Sequence, residues 1–176
     1  MTEAAPRSFA RATGIVYLVY FIAAISGLLI VHWKMAPEIV ANSVSNVLYA
    51  ATTLLLYRLL RRRDGLLALV AAAFSLLGCA TDALEQFHIV TARVNPLFFF
   101  GVFCILLGVL ILRSRFLPRW LGWPLVAAGV GWLVFLIPAV GPHGKFLIFP
   151  LGFVAEFELM LWLVIKGVDE PRWAAG

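Results

Sequence analysis

Six apolar stretches, at residues 12–32, 39–60, 66–90, 96–113, 117–137 and 146–165, leave this 176-residue chain little choice but to cross a bilayer. An α-helix rises about 1.5 Å per residue, so about 20 residues span a hydrocarbon core of about 30 Å. Backbone groups in lipid must be satisfied within their own segment, and no stretch alternates as barrel strands do, so the spans are helical. Composition agrees: 63% of the residues are apolar and 13% charged, against about 45–50% and about 25% in a soluble chain. A soluble enzyme, a nucleic-acid-binding module and a disordered chain are excluded, and two cysteines cannot build a disulfide scaffold. The expected fold is all-α, one domain over 1–176, an integral membrane bundle of six transmembrane helices.

The basic residues predict its orientation. Arg7, Arg11, Arg58, Arg61, Arg62, Arg63, Arg113, Arg115, Arg119, Lys166 and Arg172, eleven of fourteen, fall on one side. Only Lys34, Arg93 and Lys145 fall on the other. The positive-inside rule then places both termini in the cytoplasm and the protein in a bacterial inner membrane, with the bilayer as its first partner. Topology and anionic lipid account for the basic face without nucleic acid. The first apolar run continues to Val31, past the signal-peptide-like Ala24-Ile25-Ser26, and reads as an uncleaved helix. Asn95 and Pro96 are a cap and first turn, Pro118 and Pro138 bracket the fifth span, and Gly141-Pro142-His143-Gly144 reads as a tight exposed turn. Small residues at four-residue spacing, Ala23 with Gly27, Ala71 with Ser75 and Ala127 with Gly131, suit close helix packing.

Intramembrane polar groups are costly and need partners. Glu156 lies near the centre of the sixth span, and an acid there costs about 2.5–3.5 kcal/mol on insertion scales. Glu158 lies about 200° away around the helix, so the two acids cannot share one pocket. The second span carries Glu38, Asn42, Ser45, Asn46, Tyr49 and Thr53 as one stripe, and the third carries Ser75, Cys79, Asp82, Glu85, Gln86 and His88. Antiparallel helices bring these to matched depths in the outer half of the bilayer. An outward-opening pocket among helices two, three and six is therefore expected, with Asp82 and Glu156 as an acid pair. Asn42, Asn46, Tyr49, Glu85, Gln86, Phe98, Phe99 and Trp162 are its expected lining. Asn and Ser on packed helices also serve as interhelical glue, which is the structural alternative for Asn42, Ser45, Asn46 and Ser75. His32, His88 and His143 all fall on the outer side but lack the i, i+4 spacing of a helical metal motif, so neither metal nor cofactor is expected.

Several strings resemble a known family: Ala10-Arg11-Ala12-Thr13-Gly14 before Tyr17-Leu18, Leu56-Tyr57-Arg58-Leu59-Leu60-Arg61, Ser114 to Gly122, and Ala155-Glu156 before Leu161 to Gly167. Together they resemble the small polytopic bacterial proteins of domain-of-unknown-function family 4386. The resemblance implies a membrane fold and a family glutamate at Glu156, with no established activity. Between helices three and four the chain is shorter than the family pattern, and Asn95-Pro96 stands where that pattern has a His.

Two kinds of activity fit the polar inventory. A carboxyl group shut away from water favours its protonated form, so Asp82 or Glu156 would donate a proton to an alkene, epoxide or enone. Aromatic faces would stabilise the resulting cation, which is isomerase or terpenoid-type cyclase chemistry on a lipophilic small molecule. The same acids would serve a proton-coupled carrier, although no inverted repeat is evident and such a machine would need a homo-oligomer. A structural or accessory membrane subunit needs no pocket at all.

Overall fold

The computed structural model describes residues 6–32, 38–89, 95–138 and 141–174, and within them the chain is all helix and turn. Six principal helices follow one another: α1 (Pro6–His32), α2 (Glu38–Leu60), α3 (Gly65–Gln86), α4 (Pro96–Arg113), α5 (Gly122–Phe135) and α6 (Gly141–Ile165). A single 3-10 turn, Arg119–Leu121, leads into α5, and a short α7 (Glu170–Ala174) follows α6. Among the described residues five helices, all but α5 and α7, are long and apolar enough to cross a membrane. The fifth apolar segment, Arg119–Phe135, is shorter.

Each helix packs antiparallel against its neighbours in sequence, and α1 closes on α6, so the six form a ring. Turns between helices are set by local chemistry. Asp64 Oδ1 accepts the Leu67 N–H at 3.0 Å at the start of α3, and Asn95 Oδ1 accepts the Leu97 N–H at 3.0 Å ahead of Pro96, each satisfying one of the four orphan donors at a helix start. At the other end of α3 the His88 N–H bonds the Glu85 carbonyl and the Ile89 N–H the Leu84 carbonyl. This is a Schellman closure, with His88 at φ +54° where glycine is usual.

Between α4 and α5 two backbone contacts are close enough to require glycine. A methyl group added at Gly108 would lie 2.7 Å from the Gly122 carbonyl oxygen, and one at Gly129 would lie 2.5 Å from the Gly101 carbonyl oxygen. These reciprocal pairs lock α4 to α5. On the closing seam a methyl at Gly14 would sit 2.6 Å from the Val164 nitrogen. Beside it, Arg7 Nε donates to the Lys166 carbonyl and an Arg11 guanidinium nitrogen to the Ile165 carbonyl. Cationic side chains thus satisfy the orphan carbonyls at the C-terminus of α6. Of the small pairs expected from spacing, Ala71 and Ser75 are buried, whereas Ala127 is exposed. The α4–α5 pairing presents Gly122, Leu125, Ala128 and Gly129 inward instead.

Several boundaries differ from the sequence expectation, beginning with α1, which starts at Pro6 ahead of the apolar run. The turn at Gly141–Gly144 is the first turn of α6; Pro142 fits there because a first-turn residue has no intrahelical acceptor for its missing N–H. The third helix ends at Gln86 rather than at residue 90, closed by His88. The fifth helix proper begins only after the 3-10 turn and stops at Phe135, ahead of Pro138.

Candidate functional site

A cavity of about 860 Å³ lies inside the ring. It runs from the end where α2 begins and α3 stops, opposite the arginine-rich turns, to a floor at Glu156. Every principal helix contributes a wall residue. From α2 come Asn42, Ser45, Asn46 and Tyr49; from α3 come Cys79, Asp82, Glu85 and Gln86, with His88 just beyond it. The α1 wall is Tyr20 and Ala24, α4 adds Leu97 and Phe100, and α5 adds Trp132.

At the floor three donors converge on one carboxyl group. Tyr17 donates its hydroxyl to Glu156 Oε2, Tyr49 donates to Oε1 at 3.3 Å, and the Cys104 thiol lies 3.8 Å from the same Oε1. Tyr17, Tyr49 and Cys104 are buried. Aromatic rings frame this group: Tyr20 and Tyr49 have centroids 4.8 Å apart, and Tyr49 meets Phe100 edge-on at 5.5 Å and Phe103 at 6.1 Å. Below the floor, the Thr53 and Ser75 hydroxyls satisfy each other at 2.7 Å inside the α2–α3 seam. That pair is interhelical glue of the ordinary kind.

Nearer the mouth, Asn46 Nδ2 donates both to Asp82 Oδ2 at 2.8 Å and to the Cys79 carbonyl at 3.1 Å, fixing the second acid against α2. Gln86 Nε2 donates to the Ile39 carbonyl at 2.8 Å and ties the end of α3 to the start of α2. Among the described residues no lysine or arginine lines the cavity, so Asp82, Glu85 and Glu156 share it with His88 as the nearest basic side chain. No group of three metal-type ligands forms among the described residues. The side chains of Glu38, His32 and His143 lie outside them.

Of the residues named from sequence, Asp82, Glu156, Asn42, Asn46, Tyr49, Glu85 and Gln86 meet in this one cavity. Phe98, Phe99 and Trp162 do not line it. Successive residues turn 100° around a helix, so of the Phe98–Phe100 run only Phe100 shares a face with Phe103, Cys104 and Leu107. Phe98 and Phe99 pack on Phe74 of α3, at 6.5 and 6.3 Å. Trp162 lies about 9 Å further along α6 than Glu156 and meets Trp120 at 5.7 Å near the basic end. Sequence reasoning missed α1 and α5: Tyr17, Tyr20 and Trp132 were not among the expected site residues. The available signal was the Thr13, Tyr17, Tyr20, Ala24 stripe, because tyrosine in mid-span, away from the interfacial belt where it is common, needs a partner inside the bundle.

Comparison with known proteins adds a family without a chemistry. Residues 81–167 match the family model described as Domain of unknown function (DUF4386). A protein of Archaeoglobus fulgidus described as "Uncharacterized protein" is 31% identical over 128 residues, covering 69% of this chain and 78% of the relative. No solved structure matches.

Proposed function

The chain belongs to the DUF4386 family of multi-pass membrane proteins, and we propose that its cavity takes up a lipophilic molecule and works on it with the Glu156 carboxyl group. The observation that carries this reading is the floor itself. A carboxyl group in the middle of a membrane-length helix is gripped by Tyr17, Tyr49 and Cys104, and among the described residues it faces a cavity without lysine or arginine. An intramembrane acid of this kind is expensive, and such groups are by default functional.

All six principal helices cross the bilayer in this reading. The segment Arg119–Phe135 is about 25 Å long at 1.5 Å per residue, close to the thickness of a thin membrane, and its glycines bind it along α4. The arginine-rich end is cytoplasmic by the positive-inside rule, which puts both termini inside and the cavity mouth toward the outer face or leaflet. A prokaryotic cytoplasmic membrane suits that sidedness.

The chemistry proposed is proton transfer. Glu156 gives a proton to a carbon–carbon double bond or an epoxide, and the faces of Tyr20, Tyr49, Phe100 and Trp132 stabilise the cation. Asp82, held by Asn46, receives the proton lost when the cation collapses and returns it to Glu156 across the shared cavity, so the net reaction is an isomerisation or cyclisation. Solvent extraction of the purified protein followed by mass spectrometry tests the binding step. An apolar molecule retained by the natural chain and lost from Ala24→Phe, which fills the cavity wall, is the expected result. Equal retention by both, or none by either, overturns it in favour of a structural subunit.

A further inference from the structure

The arginine-rich end carries a second recess, independent of the central cavity. It measures about 510 Å³ and is walled by Arg63, Ser114, Arg115, Arg119 and Arg172 around Pro118. Three parts of the chain supply these arginines: the turn after α2, the connection between α4 and α5, and α7. Tertiary contacts hold them together. Arg172 donates to the Arg115 carbonyl at 3.4 Å, and the Asp169 N–H donates to the Phe116 carbonyl at 3.2 Å, so α7 is tied against the α4–α5 connection. Trp173 Nε1 donates to the Leu59 carbonyl at 3.1 Å and fixes α7 to the end of α2.

The charge in this recess is largely uncompensated. Arg172 pairs with Asp169 at 3.3 Å. Nearby Asp64 is engaged by Arg113 at 3.6 Å. Among the described residues, the guanidinium groups of Arg63, Arg115 and Arg119 have no carboxylate partner. Arginine forks match phosphate oxygens bidentately. Next to Arg119, Trp120 and Trp123 are exposed, at 51% and 65%, as expected of indoles at the membrane–water boundary. The recess therefore sits at headgroup depth rather than out in the aqueous phase.

We infer that the recess bounded by Arg63, Arg115, Arg119 and Arg172 binds the phosphodiester headgroup of an anionic phospholipid from the adjoining leaflet. Basic pockets between transmembrane helices take such headgroups, and here a lipid lodged between α7 and the α4–α5 connection would brace the closed ring. The inference rests on the basic end lying at a membrane surface and not on any ligand of the central cavity.

Native mass spectrometry of the full chain in neutral detergent, with equal phosphatidylglycerol and phosphatidylcholine added, tests it. The natural chain should retain phosphatidylglycerol about tenfold over phosphatidylcholine, and Arg115→Gln/Arg119→Gln should bring that preference close to one. Arg115→Lys/Arg119→Lys, which keeps charge but loses the forks, should fall between. Arg58→Gln/Arg61→Gln removes the same charge from the same end outside the recess and should change little. If the glutamine pair fails to fold, Arg63→Gln makes the same measurement from the other wall. Equal loss in the Arg58/Arg61 variant means generic surface charge and overturns the site. Displacement of bound phosphatidylglycerol by millimolar inorganic phosphate means a site for free phosphate and overturns the lipid assignment.

Discussion

At the floor of the cavity the fate of Glu156 depends on hydroxyls from other helices, which makes its replacement asymmetric. Insertion cost alone argues that Glu156→Leu should help the protein, since an intramembrane acid is removed. The geometry reverses that expectation, because Tyr17 and Tyr49 both donate to this carboxyl group and would be left without it. A buried donor deprived of its partner costs about 1–3 kcal/mol. Glu156→Leu should therefore lower the unfolding midpoint in detergent, whereas Glu156→Gln, which keeps an acceptor oxygen, should lower it less. Equal midpoints for the two would show that water replaces the carboxyl group. At the mouth, His88 holds a left-handed backbone at φ +54°, a conformation that costs an L-residue about 1–2 kcal/mol. His88→Gly should raise the unfolding midpoint; a lower one would mean that the imidazole makes a stabilising contact worth more than the strain.

The element scale is governed by how closely backbones approach. Gly101 and Gly108 on α4 face Gly129 and Gly122 on α5, each pair seven residues apart and running in opposite directions. Gly129→Ala would press a methyl group against the Gly101 carbonyl and the Ile105 backbone, and overpacking of this kind costs about 1–3 kcal/mol. The expected outcome is a lower unfolding midpoint than for Gly65→Ala, since a methyl at Gly65 meets nothing within 4 Å. Equal effects of the two would mean that α4 and α5 separate freely. This seam was legible in principle, because glycines at seven-residue spacing on two adjacent antiparallel helices can face one another. The Ala127–Gly131 spacing is just as regular, yet Ala127 is exposed. Spacing names a face of a helix without saying which neighbour covers it.

For the whole molecule the ring closure of α1 on α6 is the decisive feature, since it brings Tyr17 to Glu156 across 139 positions of sequence. Its sidedness is open to direct measurement. In a background lacking Cys79 and Cys104, a cysteine at Ile89 should react with a membrane-impermeant reagent from outside and one at Arg61 only after the cells are opened; the opposite pattern would invert the proposed orientation. The all-helical, membrane-crossing class of the fold follows from the sequence alone, because lipid forces each segment to satisfy its own backbone hydrogen bonds. So does the placing of Asn42, Asn46, Tyr49, Asp82 and Glu85 along two stripes, since that depends only on 100° per residue along one helix. Which helices face one another depends on contacts between segments far apart in the chain. Only the tertiary structure therefore brought α1 and α5 into the wall, turned Phe98, Phe99 and Trp162 away from it, and set two tyrosines on the one carboxyl group at its floor.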